Sequence, residues 1–391
     1  MDKSLLAERM SRLGTESAFA ILAEANKLEA EGKSIVHMEV GQPDFKTPQN
    51  IIDAACKALN DGFTGYGPSA GLPVLREEIA RYAKEYKNVD TNADEIVVVP
   101  GGKPIMFFVI MALCDHGDEV IYPNPGFPIY ESVINFCGGK AVPMPLLAKN
   151  GFRIDYDLLE ESITDKTKLL IINNPSNPTG AAFSKAEIER LAEIVKKHPK
   201  LMVLSDEIYD RLSYGEPIVS IASLDGMKDR TIILDGFSKT YSMTGWRIGY
   251  GIMDKDLAEQ VTQLMTNSNS CTATFTQIAA LEALRGPQNS VEAMKAEFKE
   301  RRDYIVEALN KIDGVTCHCP EGAFYVFPDI SSFGIKSKEF CTRLMHEAGI
   351  AAAWGTSFGS FGEGCIRFSY ATSLENIKEA VKRFEAFTKT L

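Results

Sequence analysis

Short apolar runs alternate with amphipathic stretches along most of this chain. Runs rich in valine, isoleucine and leucine predict buried strands, and the stretches between them carry apolar positions at the spacing of a helix. Strands that are apolar on both faces, with helices between them, indicate a mainly parallel sheet covered on both sides. The predicted strands of this sheet lie at residues 95–100, 119–123, 140–146, 168–175, 201–207 and 230–236.

The helices predicted from the pattern separate most of these strands. A long helix is expected over about 268–310, and the strand-like segments GAFYVFPDI and CIRFSYAT follow it. These segments indicate a second, smaller α+β domain, which the N-terminal part of the chain joins with a strand-like run at 35–40. The other predicted helices lie at residues 16–32, 49–61, 71–87, 128–136, 156–163, 185–197 and 255–266.

Glycine and polar residues follow five of the predicted strands. In open parallel sheets, ligands bind beyond the carboxyl ends of the strands. We therefore expect one site that is assembled from residues far apart in the sequence. The segments at these strand ends are Gly101-Gly102-Lys103, Asn124-Pro125-Gly126-Phe127, Asn173 to Gly180, Asp206, and Gly236 to Lys239.

The composition narrows the classes of partner and compartment. With 391 residues, of which 45% are hydrophobic, the chain can build a large core and more than one domain. Its formal net charge of -11 argues against nucleic acid or an anionic membrane as a partner. No apolar run approaches the length of a membrane span, and the first residues, MDKSLLAERMSRLGTE, contain no apolar region of a secretory signal.

The eight cysteines are scattered along the chain, and none forms a CxxC pair. The Cys317-His318-Cys319 run has the wrong spacing for a zinc site, so we predict a surface strand or loop there and no metal site. We expect all eight cysteines to be reduced thiols, as is usual in the cytoplasm. The sequence therefore predicts a cytoplasmic protein.

Lys239 follows the apolar run at 231–236 and has two interpretations. A lysine just past a strand is commonly solvated, because burying an unpaired ammonium group costs free energy. The other interpretation is a lysine that forms a Schiff base with a carbonyl group. The residues near the other strand ends favour the second.

Asp206 ends the predicted strand at 201–207. It could cap a following helix, or it could pair with the protonated pyridine nitrogen of pyridoxal 5'-phosphate (PLP). Tyr209 could be a packed aromatic residue and Asn177 a turn residue. Both could instead donate hydrogen bonds to the phenolate oxygen of the same cofactor.

A phosphate site is indicated by Gly101-Gly102-Lys103, which opens a predicted helix directly after a strand. Glycines at a helix N-terminus allow a phosphate to approach the backbone N–H groups, although Gly-Gly is also common in turns. Arg247 adds a fixed cation with suitable geometry.

Four motifs together resemble a known family. They are YGPSAGLPVLREEIA (66–80), NPSNPTG (174–180), SDEIY (205–209) and GFSKTYSMTGWRIG (236–249). The chain resembles class I/II aminotransferases, PLP-dependent enzymes of fold type I in the aspartate aminotransferase superfamily, over nearly its whole length. This resemblance implies an α/β fold with a mainly parallel seven-stranded sheet flanked by helices in a large domain (46–284). It also implies a smaller α+β domain from residues 1–45 and 285–391.

The resemblance implies roles for the residues around the cofactor. Lys239 would form the Schiff base and carry the proton shift, assisted by Asp206 at the pyridine nitrogen and Tyr209 at the phenolic oxygen. Asn177 would bond the same oxygen, and Phe127 would stack on the ring. The phosphate would be held by the N–H groups of Gly102 and Lys103, by Ser238 and Arg247, and by Tyr66 of a neighbouring subunit, which implies a homodimer with shared active sites.

For the substrate, the resemblance implies that Arg367 pairs with the α-carboxylate, with Asn177 and the backbone of Gly41 beside it. An arginine here could also be a surface residue on an edge strand, but its position between Ile366 and Phe368 argues against this. The implied reaction moves the amino group of an L-amino acid to a 2-oxo acid by a ping-pong mechanism. Two positions depart from the common family pattern: Gly236 stands where many relatives have serine, and Trp354 where many have proline.

The sequence gives less information about which substrate side chain the site accepts. Lys103 could meet a distal carboxylate, which favours glutamate and 2-oxoglutarate or aspartate, or it could be solvated. Phe19, Phe127 and Trp354 would also tolerate an aromatic or aliphatic side chain, as in an aromatic or alanine-type aminotransferase. A PLP-dependent C–S β-lyase is a further alternative, and a non-catalytic PLP-binding protein would not need all these residues.

Overall fold

Twelve β-strands and twelve α-helices make up residues 5–391, the part of the chain that the computed structural model describes. The strands are β1 (Val36–His37), β2 (Ile96–Val99), β3 (Glu119–Asn124), β4 (Lys140–Pro145), β5 (Thr167–Asn173), β6 (Met202–Asp206), β7 (Thr231–Gly236), β8 (Gly249–Ile252), β9 (Tyr325–Val326), β10 (Ile350–Ala351), β11 (Ala353–Trp354) and β12 (Ile366–Ser369). The helices are α1 (Ser17–Ala30), α2 (Gln49–Asn60), α3 (Pro73–Lys87), α4 (Lys103–Leu113), α5 (Ile129–Cys137), α6 (Tyr156–Ser162), α7 (Lys185–Lys196), α8 (Lys255–Ser268), α9 (Thr274–Arg285), α10 (Asn289–Leu309), α11 (Ser337–Ala348) and α12 (Leu374–Thr388).

The large sheet has seven strands in the order β2-β8-β7-β6-β5-β3-β4, and it confirms the predicted fold class. Strands β3 to β7 run parallel to their neighbours, and β8 runs antiparallel to both β2 and β7. All six predicted strands of this sheet are present. The pattern missed β8, because its sequence GYGI carries two glycines, and glycine is depleted in strands.

Close packing against neighbouring backbone explains why β8 contains glycine at position 249. Gly249 pairs with Gly236 on β7, and a Cβ atom on Gly249 would lie 2.7 Å from the backbone nitrogen of Gly102. The loop before α4 therefore packs directly on the backbone of β8. A side chain at this position would push that loop away.

The predicted helices are confirmed, with one exception. The single long helix predicted over about 268–310 is wrong: α9 ends at Arg285 and α10 begins at Asn289. Gly286 and Pro287 separate the two helices. A proline inside a helix removes a backbone donor and clashes with the preceding turn, so the break has a local cause.

A smaller part of the molecule contains two further sheets. Strands β11, β12 and β9 form an antiparallel sheet with β12 in the centre, and β1 pairs in parallel with β10. The predicted strand at 35–40 thus pairs with the C-terminal part of the chain. The core of this smaller part includes the aromatic residues Phe298, Phe324, Phe340 and Phe384. The exact division of the chain at residues 46 and 284 stays a prediction.

The cysteines are all free thiols, so no disulfide links the described residues. Cys317 is buried and Cys319 is exposed in a loop between α10 and β9. Residues 5–391 contain no cluster of three acidic, histidine or cysteine side chains arranged to hold a metal ion. No helix among them is both long and apolar enough to cross a membrane.

Candidate active site

A cavity of about 610 Å³ lies at the carboxyl edge of the parallel strands, between the large sheet and β12. Its volume is in the range that holds a small-molecule ligand or cofactor. Tyr66 does not line it and is 93% exposed. All other site residues predicted from the sequence line this cavity: Gly41, Gly102, Lys103, Phe127, Asn177, Asp206, Tyr209, Ser238, Lys239, Arg247 and Arg367.

Lys239 lies in the cavity wall, three residues after the end of β7. Its Nζ atom donates to the backbone oxygen of Gly41 at 2.5 Å, and no carboxylate of the described chain pairs with it. Burial, together with the positive charge of Arg367, lowers the pKa of Lys239 to about 8. Lys239 is only partly exposed, and its amine faces the cavity. Its amine is enclosed and is neutral in part near physiological pH.

Asp206 is buried at the end of β6. Tyr130 donates its hydroxyl to Asp206 Oδ2 at 2.6 Å, and the backbone N–H of Ile208 lies 3.3 Å from Oδ1. Burial raises the pKa of Asp206 to about 6. No α-helix starts here, and the short 3-10 helix at Asp210–Leu212 is preceded by Tyr209, so the capping interpretation is wrong.

Two tyrosine hydroxyl groups meet at the cavity wall. The Oη atoms of Tyr209 and Tyr325 lie 2.8 Å apart, and both side chains are buried. Burial raises the pKa of Tyr209, so its hydroxyl stays protonated. Whichever hydroxyl donates within the pair, one hydroxyl hydrogen remains for a further acceptor.

Arg367 lies on β12, the central strand of its sheet, and is buried. The edge-strand interpretation is therefore wrong. Its Nη1 donates to Asn177 Oδ1 at 3.0 Å, and its Nη2 donates to the backbone oxygen of Glu39. Its buried Nε has no hydrogen-bond partner within the described chain. A guanidinium with a free, inward N–H is prepared to bind a planar anion such as a carboxylate.

The start of α4 forms one corner of the cavity. Gly102 occupies the N-cap position without a side-chain cap, Pro104 has no N–H, and the N–H of Ile105 donates to the oxygen of Gly102. The N–H groups of Gly102 and Lys103 are therefore the ones free to bind an anion. Gly101 has a φ of +84°, and a Cβ atom there would overlap the guanidinium of Arg247. Arg247 itself has a φ of +53° and is held by a 2.8 Å bond from Nη1 to the oxygen of Thr244. These features make the corner suitable for binding an anion.

Phe127 and Lys103 are stacked beside this corner. The Nζ atom of Lys103 lies 5.4 Å from the centre of the Phe127 ring, and it forms an ion pair with Glu16. Neither interpretation of Lys103, as a partner for a distal substrate carboxylate or as a solvated lysine, included its ion pair with Glu16. The sequence pattern had not indicated Glu16 as a residue of the site.

Gly236 replaces the serine that many relatives carry. A Cβ atom on Gly236 would lie 2.9 Å from Gly249 Cα and 3.2 Å from the oxygen of Ile248. The close packing of β7 on β8 therefore leaves no room for a side chain in this backbone arrangement. The hydroxyl of Ser238, which lines the cavity, remains on this side of the site.

Trp354 does not line the cavity, so the expectation that it contributes to the substrate pocket is wrong. It packs against both apolar cores that meet at β11, and Lys338 Nζ lies 5.5 Å from its ring centre. Phe19 and Phe127 do line the cavity. Together with Phe358, they form the phenylalanine part of the cavity wall that a substrate side chain can contact.

Sequence analysis missed three residues in or beside the cavity wall: Glu16, Tyr130 and Tyr325. Asn173 ends β5 beside Asp206, and its side-chain oxygen accepts the backbone N–H of Asn177 at 2.7 Å. It belonged to a segment already singled out. Tyr130 and Tyr325 occupy apolar stretches that predict only core packing, so no local signal marks them.

Comparison with known proteins agrees with this arrangement. The family described as "Aminotransferase class I and II" matches residues 33–384. An aspartate aminotransferase of Bacillus sp. (strain YM-2) is 39% identical over 394 residues, which cover 99% of this chain and 100% of that protein. A solved aromatic aminotransferase from Pyrococcus horikoshii OT3 is 39% identical, with a TM-score of 0.89 over 94% of this chain and 99% of that one. An alanine aminotransferase from Pyrococcus furiosus is 34% identical, with a TM-score of 0.94 over 99% and 100%.

The chain belongs to the class I and II aminotransferase family and has the fold type I architecture of these enzymes. It is an aminotransferase, and the C–S β-lyase alternative is not favoured.

Proposed function

We propose that this aminotransferase uses pyridoxal 5'-phosphate to move the amino group of an L-amino acid to a 2-oxo acid in a ping-pong cycle. One observation carries this proposal. Lys239, Asp206, Arg247 and Arg367 all line one cavity, and none has an ionic partner among residues 5–391. Asp206 and Arg367 are buried, and buried charges without partners cost free energy, so this set fits ligands that supply the opposite charges.

The residues present fit the cofactor group by group. Its phosphate fits the corner made by Arg247, Ser238 and the free N–H groups at the start of α4. Its protonated pyridine nitrogen would face Asp206, whose carboxylate otherwise lacks a cation. Its ring would lie against Phe127, and its phenolic oxygen would accept from Asn177 and Tyr209. When bound, the cofactor supplies an electron-accepting ring that stabilises negative charge at the substrate α-carbon.

Lys239 both anchors the cofactor and moves the proton in this proposal. A neutral amine is the form that attacks a carbonyl and the form that accepts a proton, and a pKa of about 8 makes it accessible near physiological pH. The backbone oxygen of Gly41 orients the amine. The proton that leaves the substrate α-carbon would therefore be held at Nζ.

Asp206 keeps its charge through its neighbours. Tyr130 and the N–H of Ile208 hold its two oxygen atoms in place. A cation that approaches the carboxylate lowers its pKa below the value of about 6 that burial imposes. The ionised form of Asp206 would then balance the pyridine nitrogen throughout the reaction.

Arg367 binds the α-carboxylate of the substrate in this proposal. Asn177 and the backbone of Glu39 fix its guanidinium before the substrate arrives, so little ordering is needed on binding. A Cβ atom on Gly41 would overlap the Tyr325 hydroxyl, so only glycine leaves room for this backbone close to the site. We propose glutamate and 2-oxoglutarate, or aspartate, as one substrate pair, with Lys103 as the cation for the distal carboxylate.

We also propose a homodimer with shared active sites. Tyr66 is 93% exposed in the single chain, although it belongs to a motif of the family. Phe63 nearby and Leu5, Leu6 and Met10 in the N-terminal segment are exposed as well. A second copy of the chain would cover these apolar residues and bring its Tyr66 to the phosphate corner.

Borohydride reduction tests the core of the proposal. The purified protein with PLP should absorb in the visible range, and borohydride should bleach this band. Peptide mapping should then place the reduced cofactor on Lys239. The unreduced enzyme should transaminate between amino donors and 2-oxoglutarate or pyruvate. A cofactor found on another lysine, or no turnover with any donor, would contradict the proposal.

The shared site has its own test. We expect Tyr66→Phe to be impaired and Lys239→Ala to be inactive. Mixing the two under conditions of subunit exchange should raise the activity of the Tyr66→Phe protein, because hybrid dimers contain one site with all its parts. If mixing only dilutes the activity, or if the wild type sediments as an active monomer, the dimer proposal fails.

A further inference from the structure

Glu16 lies at the mouth of the cavity and is turned toward Lys103. It occupies the N-cap position of α1, but its carboxylate makes no capping hydrogen bond. The carboxylate instead forms an ion pair with Lys103 Nζ. The Glu16 side chain is 19% exposed, and that of Lys103 is 48% exposed. A residue that could stabilise its own helix therefore contributes its charge to the cavity.

The charges that line the cavity make this pair unusual. Lys103 is the only lining cation with an ionic partner within residues 5–391, since Lys239, Arg247 and Arg367 have none. Glu16 is also close enough to raise the pKa values of Lys239 and Arg367, although it is not the main influence on either. The negative charge of Glu16 thus acts on the part of the cavity that the substrate enters.

The pairing has a consequence for substrates with two carboxylates. In the proposed function, Lys239 anchors the cofactor, Arg247 takes the cofactor phosphate and Arg367 takes the substrate α-carboxylate. A distal carboxylate then has only Lys103 as a cation among the lining residues, and Glu16 already occupies it. A neutral side chain meets no such competition and packs against Phe19 and Phe127.

We propose that Glu16 is a specificity-determining residue that substitutes for the distal carboxylate of the substrate on Lys103. This inference rests on the proposed function. With a neutral or aromatic substrate, Glu16 stays on Lys103 and keeps its charge balanced. With a dicarboxylic substrate, the distal carboxylate displaces Glu16. One site can thereby accept both kinds of amino acid in the two halves of the cycle.

The surrounding chain allows Glu16 to move without the rest of the segment. Arg12 Nε donates to the oxygen of Asn135 at 2.9 Å, and the N–H of Gly14 donates to Ser132 Oγ at 2.8 Å, so residues 12–14 are tied to α5. The Glu16 side chain is held only by Lys103 within the described chain. Because Lys103 is half exposed, the pair is weak, and its displacement changes substrate affinity by about two- to fivefold.

The first experiment compares the preference for acidic over neutral donors. The holoenzyme is assayed with glutamate, aspartate, alanine and phenylalanine as wild type, Glu16→Gln and Glu16→Lys. Glu16→Gln should raise the ratio of kcat/KM for glutamate over alanine by about two- to fivefold, and Glu16→Lys should raise it further. The matched control is Glu31→Gln at the other end of α1, which removes the same charge outside the cavity and should leave the ratio unchanged.

The second experiment tests whether Glu16 acts through Lys103. In a double-mutant cycle, Glu16→Gln should have no effect on the ratio when Lys103 is already methionine. Calorimetric titration with glutarate and pentanoate gives a readout without turnover. Glu16→Gln should tighten glutarate binding by about two- to fivefold and leave pentanoate binding unchanged.

The outcomes separate this inference from the proposed function. If the wild type transaminates but Glu16→Gln leaves the donor ratio and glutarate affinity unchanged, the inference is wrong and the function stands. A uniform change for all four donors also overturns it, since Glu16 would then act on the fold or on closure of the site. If the wild type transaminates no donor, the proposed function itself fails.

Discussion

Two enclosed lysines, Lys239 and Lys87, show how the same side chain takes opposite roles in one molecule. Lys87 ends α3 and lies 3.0 Å from both Glu207 Oε2 and Asp235 Oδ2, with Asp210 as a third partner. Burial opposes its charge, but the three carboxylates outweigh burial and raise the pKa of Lys87. Lys239 has no carboxylate in contact, and burial with Arg367 nearby lowers its pKa to about 8.

The difference teaches that neighbours, and not burial alone, decide what a buried lysine does. Lys87 is a structural cation. Glu207 directly follows β6, which ends at Asp206, and Asp235 lies on β7, which ends three residues before Lys239. Lys87 therefore joins the ends of these two strands. The paired lysine thus stabilises the strand ends beside the cavity, and the unpaired lysine faces the cavity, where we propose that it takes part in the chemistry.

Replacing the unpaired lysine should have the largest effect. Lys239→Ala should lower turnover by about 10²- to 10⁴-fold, because the substrate α-carbon loses its positioned base. Its free energy of unfolding should not fall, since an enclosed ammonium without a partner is removed. Steady-state kinetics and urea denaturation check the two parts. A Lys239→Ala protein that is unstable and partly active would reverse the roles assigned to the two lysines.

Replacing the paired lysine should cost stability. Lys87→Met leaves three buried carboxylates without their cation, and we expect a loss of roughly 3–5 kcal/mol in the free energy of unfolding. Lys84 lies three residues earlier on the exposed face of α3 and pairs only with Asp90. Lys84→Met should therefore change the free energy of unfolding by less than about 0.5 kcal/mol. Equal effects of the two substitutions would show that the buried cluster contributes nothing special.

Arg367 lowers the pKa of Lys239 and is also the residue proposed to bind the substrate α-carboxylate. Arg367→Lys keeps the charge but loses the planar fork, so kcat/KM should fall by about ten- to hundredfold, which corresponds to one charge-assisted hydrogen bond. The fall should be similar for every amino donor, because all share the α-carboxylate. Arg367→Met should in addition raise the pKa of Lys239, since the neighbouring positive charge is gone. A loss confined to one donor would remove Arg367 from the α-carboxylate.

The smallest predicted effect is on the pH dependence of stability without added cofactor. The folded-state pKa of Lys239, about 8, lies below the ordinary value of 10.5, so its cost to folding is full below pH 8 and is relieved as the pH rises toward 10.5. Between pH 7 and 9 the stability gap between Lys239→Met and wild type should shrink by about 1 kcal/mol.

For the matched variant, Lys87→Met, stability relative to wild type should change with pH in the opposite direction. Lys87 is protonated in both states over this range, but its loss should raise the pKa of Asp235 further above its value of about 7. The unfolded chain then releases protons that the folded variant retains, and Lys87→Met should lose stability relative to wild type as the pH rises. Denaturation curves at three pH values would decide, and gaps that move in the same direction would contradict the comparison.

Much of the fold and of the site follows from local patterns. The six predicted strands of the large sheet are present because apolar runs with β-branched residues have few other ways to bury both faces. The glycines at 101–102, the asparagine–proline run at 174–180, and Lys239 stand at strand ends that parallel topology brings to one edge. For this reason the predicted site residues, apart from Tyr66, converge on one cavity.

The pairing of distant residues could not be predicted in this way. Tyr130 meets Asp206 across 76 positions, Glu16 meets Lys103 across 87, and Lys87 meets Glu207 across 120. Hydrophobic periodicity reports which face of an element is buried, and it carries no information about which polar group lies opposite. Sequence alone therefore determined the architecture and most of the side chains that gather at one cavity. Only the tertiary structure decided which lysine has acidic partners and which remains unpaired, because the charge state of a buried group depends on neighbours that the folded chain alone brings together.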